Sequence, residues 1–196
     1  MDRWTATVGG GSAMAAAGGK AIKVNRAPVL TLWAAVVAEC LGHDRETAIT
    51  LGRAVAGSSA RAKAKAIGIA GDGHEGGDLR DAARRQEGER TQRPRAVHLL
   101  GRDVPVVEEN GTLRAMDHDK PASPAAAAGY VERAFGEDLG AVRAAMEMLA
   151  GSLAPDELNR VGFRLYERFR PEVSAGAKGW GAKGVLDLGR IRGAAG

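Results

Sequence analysis

Apolar side chains recur along this chain in two rhythms, one helical and one alternating. From Pro28, Leu30, Trp33, Val37 and Leu41 follow at steps of three and four, with Val29, Val36 and Cys40 widening the stripe. That spacing predicts a helix, which Pro28 suits at its first turn and Gly42 at its end. Asp44 is placed to cap a second helix whose inward face of Ala48, Leu51, Val55, Ala62 and Ala66 is mostly small. Small faces let two helix axes approach closely, so a tight pair is expected. Further on, Val97, Leu99, Val104, Val106, Val107 and Leu113 alternate or cluster around Asn110-Gly111. Asn-Gly is a strong hairpin signal because both residues tolerate positive φ. The segment is read as a hairpin, extending to a three-stranded meander if Val97 to Leu100 joins through Gly101-Arg102-Asp103.

Three helices are predicted to follow. Ser123-Pro124 supplies a cap and a proline at the first helical position, and Gly136 ends the first of them. Leu139, Val142, Met146, Leu149 and Leu153 define the second. Pro155 opens the third, with Leu158, Val161, Leu165 and Phe169 inward and Pro171 closing it. The short connection between the last two favours an antiparallel hairpin, and a short helix from Val185 to Ile191 is expected near the end. The fold class is thus mainly α, of α+β type. Residues 1–24 are expected to be a flexible arm, 25–70 the helical pair, 71–95 a disordered linker, and 96–196 a hairpin-plus-helices unit with a basic Gly- and Lys-rich tail.

Composition narrows the picture. The 196 residues include 38 Ala and 28 Gly, and Leu, Ile, Val and Phe together make up just under a fifth of the chain. The core is therefore modest, and eight aromatic residues argue against a large cofactor-stacking cavity. In the segment 71–95, Leu79 is the lone large apolar side chain among dense mixed charges, too little to offset its ordering entropy. One cysteine, Cys40, forms no internal disulfide and reads as a small core residue. With no signal-peptide pattern and no membrane span, a cytoplasmic protein is expected.

The net charge is +4, and its distribution says more than the total. Residues 1–27 carry +3, 28–70 carry +2 and 155–196 carry +3, whereas 96–122 and 123–154 each carry −2. A basic surplus at both ends forms one positive face if they meet, the electrostatic footprint of a nucleic-acid binder. Arg160, Arg164 and Arg168, spaced by four, project from one helix face. Lys178, Trp180 and Lys183 are interleaved with glycines that permit close backbone approach, with the tryptophan available to stack on a base. Arg61, Lys63 and Lys65 form a third cluster. The bland alternatives are a solvated helix face for the arginines, paired with Glu157 and Glu167, and a core anchor for Trp180.

The segment Val37 to Ala48, with Ala38, Gly42 at the turn, Ala48 where the second helix packs back, and Leu41 and Leu51 inward, resembles a helix-turn-helix DNA-binding motif. His43 departs from it, since the motif usually has an apolar residue there, and so does the length of the second helix through Gly52 and Gly57. The resemblance implies that Arg45, Glu46, Thr47, Thr50 and Arg53 face a major groove. The Asn110-Gly111 hairpin could serve as a wing, but its acidic Glu108 and Glu109 favour a structural hairpin.

Enzymatic signatures mostly fail. Gly18-Gly19-Lys20 is followed by Ala21 and lacks the earlier glycine of a phosphate-binding loop. Asp72, His74, Glu75 and Asp78, and likewise Asp117-His118-Asp119, lack a spacing that fixes metal geometry. The expectation is a non-enzymatic DNA-binding protein, nucleoid-associated or regulatory, with DNA or RNA as partner and no cofactor, metal or membrane. The main rival is a helical protein-interaction or scaffold module whose Ala-rich helices pack on a partner or a second copy. An unfamiliar enzyme using His98, His118 or Glu167 would require a pocket with convergent ionisable groups.

Overall fold

The computed structural model describes residues 20–66, 95–117, 120–174 and 182–196, with the backbone alone for 63–66. It is mainly helical with two small antiparallel sheets. In chain order the elements are β1 (Ala21–Val24), α1 (Arg26–Cys40), α2 (Arg45–Ala66), β2 (Arg95–Leu99), β3 (Arg102–Glu109), β4 (Thr112–Asp117) and β5 (Lys120–Pro121). There follow α3 (Pro124–Phe135), a 3-10 turn (Gly136–Asp138), α4 (Leu139–Gly151), α5 (Pro155–Phe169), β6 (Gly184–Asp187) and α6 (Leu188–Arg192).

Helix α1 is the hub. Every residue from Pro28 to Ala38 is buried, so the helix has no solvent face, as expected of one that is apolar all round. The sequence shows one stripe of large side chains; Ala34, Ala35, Ala38 and Thr31 fill the remaining sides without adding to it. Cys40, expected in the core, is exposed at the end of α1. The chain then turns at Gly42, where His43 N–H donates to Ala38 O at 3.1 Å and Gly42 N–H to Glu39 O at 3.0 Å, closing the helix with a Schellman motif.

The tight pair is present, and Gly52 is its point of closest approach. A Cβ on Gly52 would lie 2.3 Å from the carbonyl oxygen of Thr31, so no larger residue fits while the helices keep this spacing. On α5 a Cβ at Gly162 would lie 2.4 Å from Leu100 Cδ2, a side-chain end and not backbone. Beside it, Trp33 donates its indole N–H to Gly162 O at 2.8 Å, and Phe169 meets the same indole edge-to-face at 5.4 Å. Tyr166 continues the aromatic chain 5.8 Å from Phe169; burial pushes its phenol up to about 12.

The meander has four strands in the order β2-β3-β4-β5, one two-residue strand more than expected. Asn110 and Gly111, with φ of 53° and 78°, make the two-residue turn read from their sequence. Leu100 is less expected. It has φ 53°, a conformation that costs a bulky side chain roughly 1–2 kcal/mol, yet it is buried against Gly162. Asn159 of α5 grips this turn, its Oδ1 accepting from Leu100 N–H at 2.9 Å and its Nδ2 donating to His98 O at 3.1 Å.

Four further expectations change. Ala21–Val24, assigned to the arm, is strand β1, paired antiparallel with β6 from Ala21↔Asp187 to Val24↔Gly184. The helix expected from Val185 begins only at Leu188, because residues 184–187 complete that sheet. Helices α4 and α5 do not pair along each other; both pack on α1 and α6. Finally, buried residues of α1, α2, β3, β4 and the later helices belong to one core cluster, so the helical pair and the hairpin-plus-helices unit share their interior. The expected linker lies outside the described residues except Arg95, which opens β2.

Candidate nucleic-acid interface

The arginines of α5 separate into two kinds. Leu158, Leu165 and Phe169 bury the inner face of the helix, which leaves Arg160, Arg164 and Arg168 outward. Arg160 and Arg164 are exposed and form no ion pair among the described residues, so the suggested pairing with Glu157 and Glu167 is not made. Arg168 is committed. Its Nη1 donates to Ala194 O at 2.7 Å and Gly196 O at 2.9 Å, fastening the segment after α6, while its own carbonyl accepts from Arg190 at 2.6 Å.

Arg102, which belongs to none of the basic clusters expected from spacing, connects α5 to α2. Its guanidinium lies 5.7 Å from the Phe163 ring centroid, and its Nη1 is 3.3 Å from Ser58 Oγ on α2. Phe163 is adjacent to Arg164 and one turn from Arg160; Ser58 is one turn before Arg61, which is exposed. Arg102 thus bridges the stretch of α2 that ends at Arg61 and the stretch of α5 that carries Arg160 and Arg164, with an aromatic ring beneath it. Asp103, its acidic neighbour in sequence, lies 2.8 Å from His98 Nδ1. Nothing in the local sequence marks Arg102, because its role depends on two helices distant in the chain.

The other expected site residues lie elsewhere. Arg45 is exposed at the first residue of α2 and lines a cleft toward α3. Arg53 is half-buried, with its guanidinium 4.4 Å over the Tyr130 ring. Of the other side chains that the helix-turn-helix resemblance directs to a groove, Thr47 and Thr50 are buried against β4. The Thr47 hydroxyl lies 2.6 Å from Asp44 Oδ2 and 2.7 Å from Leu113 O, two acceptors for its single proton. Thr50 Oγ1 accepts from Ala115 N–H at 3.1 Å. Asp44 caps the helix through Thr47 N–H at 2.9 Å, and these hydrogen bonds from Thr47 hold its carboxyl below the usual range.

Lys183 is exposed immediately before β6, where Gly184 packs on Pro171 and Glu172 past the end of α5. Lys178 and Trp180 lie outside the described residues, as do the side chains of Lys63 and Lys65. So do Asp72, His74, Glu75, Asp78, His118 and Asp119. Among the described residues no three His, Cys, Asp or Glu side chains converge to hold a metal, and no helix is long and apolar enough to cross a membrane. His98 and Glu167, the described candidates for an unfamiliar catalytic site, are both exposed and neither lines the cleft beside Arg45. No protein-family model, curated protein or solved structure matches the chain.

Proposed function

We propose that this chain is a non-enzymatic nucleic-acid-binding protein, with duplex DNA as the first ligand to test and a nucleoid-associated or regulatory role. The observation that carries the reading is Arg102, which touches both α2 and α5, the helices that carry Arg61, Arg160 and Arg164. Guanidinium groups not held in ion pairs are suited to bidentate contact with phosphate. Binding of this kind releases counterions and is steeply salt-dependent and largely independent of sequence.

Fluorescence anisotropy on a labelled duplex across a salt series tests the reading. Micromolar binding that weakens with salt is expected. Replacing Arg61, Arg160 and Arg164 together by Ala should weaken it and make the log-log salt slope shallower by about 0.9 for each phosphate that the variant no longer neutralises. Absence of binding at low salt, or an unchanged slope in the triple variant, overturns the assignment.

A second reading, a protein-interaction module, is favoured by one feature. Gly140, Ala144, Met148 and Gly151 form an exposed row on α4, and Met148 retains 66% of its surface. Light scattering coupled to size exclusion separates the readings: a stable dimer without nucleic-acid affinity favours the second.

A further inference from the structure

Helices α1, α2, α3 and α4 converge on a cleft of about 310 Å³, the lower end of the range of small-molecule sites. Its surface is mostly apolar, formed by Leu32, Ile49, Ala125, Ala128, Val131 and Leu139. Three of the five charged groups on its wall have partners within the protein, each arginine involved being shared between two carboxylates. Arg143 pairs with Glu39 and, at 2.7 Å, with Glu147. Glu46 lies 4.0 Å from Arg114, which also pairs with Glu109. Two charges remain uncommitted among the described residues, Arg45 on α2 and Glu132 on α3.

We infer that this cleft binds a free aliphatic α-amino acid of about the size of leucine. The branched side chain lies on the apolar floor, the carboxylate accepts the forked N–H groups of Arg45, and the ammonium donates to Glu132. The charge pattern selects against simpler ligands. A fatty carboxylate leaves Glu132 unpaired beside its own negative head, and an alkylamine does the same to Arg45. A small polar zwitterion forgoes the apolar floor, where each buried methylene contributes about 0.8 kcal/mol. The site stands on the α3 side of α2, and the inference is independent of nucleic-acid binding at Arg61 and Arg102.

Isothermal titration calorimetry and thermal unfolding with L-leucine test it on the full chain, with glycine, 4-methylpentanoate and 3-methylbutan-1-amine as comparisons. Leucine should give heat and raise Tm, with the three comparison compounds at least tenfold weaker. Arg45→Ala and Glu132→Gln, both at exposed positions, should each reduce leucine affinity at least tenfold while the unliganded unfolding transition stays where it is. Leucine at about 10 mM would nearly saturate a site with Kd near 1 mM, so no heat and no Tm shift there overturns the inference. Equal binding of leucine and glycine overturns the role of the floor. Equal binding of leucine and 4-methylpentanoate, or wild-type affinity in Glu132→Gln, overturns the zwitterion assignment.

Discussion

Two glycines of α2, five residues apart, have opposite reasons to be there. Gly52 faces α1 so closely that an added Cβ would meet Thr31 O at 2.3 Å and Ala35 N at 3.0 Å. Both are backbone atoms of a helix buried on every side, so neither swings away as a side-chain end would. At Gly57 the nearest atom is the flexible end of Arg61, at 3.9 Å. Gly52→Ala should therefore destabilise the protein by about 1–3 kcal/mol, the usual cost of overpacking a core. Gly57→Ala should stabilise it by about 0.5–1 kcal/mol, because Ala loses less backbone freedom than Gly in a helix interior. Urea unfolding of both variants decides the matter, and equal effects of the same sign would contradict the close-approach account. The small face of α2 was legible in the sequence as a reason for tight packing at Ala48, Leu51 and Val55, whereas Ala62, read as inward, is exposed. Which glycine made the contact was not legible, since that depends on where α1 lies against it.

At the scale of elements, local chemistry marked boundaries well and partners poorly. Asp44, Ser123-Pro124 and Asn110-Gly111 act through neighbours a few residues away, and each does in the structure what its sequence implies. Strands β1 and β6 have four residues each and meet across most of the chain, in Gly- and Ala-rich surroundings where no alternation builds up. The pairing of α2 with the meander was equally hidden. Thr47 and Thr50 look like exposed polar positions on a recognition helix, yet they are 1% and 0% exposed because their hydroxyls satisfy β4. Thr50→Val keeps the shape and removes the acceptor for Ala115 N–H. A buried donor left without a partner costs about 1–3 kcal/mol, so that loss of stability is expected. Amide exchange should locate it: protection at Ala115 and along β4 should fall more than in α5. A uniform change through the whole molecule would mean that this hydrogen bond does not fasten the meander.

For the whole molecule, the decisive fact is that α1 is surrounded by elements from both sides of residues 67–94. Leu51 and Val55 of α2 share a core cluster with Leu99, Val104, Val106 and Ala115 of the meander. Trp33 is bonded to Gly162 and packed on Phe169. Composition suggested two units because large apolar residues are scarce between them, but scarcity also leaves too few for two separate cores. A piece ending before residue 95 keeps α2 on one side of α1 but exposes the sides that β2, α3, α4 and α5 cover, and the complementary piece loses its central helix. Fully burying a large aliphatic or aromatic side chain contributes about 1.5–3 kcal/mol, against a net stability of about 5–15 kcal/mol for a whole domain. Exposing several of them removes the margin for either piece. If the chain is divided between residues 66 and 95, neither part should unfold cooperatively alone, and the two should copurify and share one transition when produced together. With Trp4 and Trp180 replaced by Phe, Trp33 reports the assembly: its emission should lie to the red in the isolated first piece and shift to the blue when the second is added. Cooperative unfolding of the second piece by itself, with no change in Trp33 emission on mixing, would establish two independent units and refute the single core.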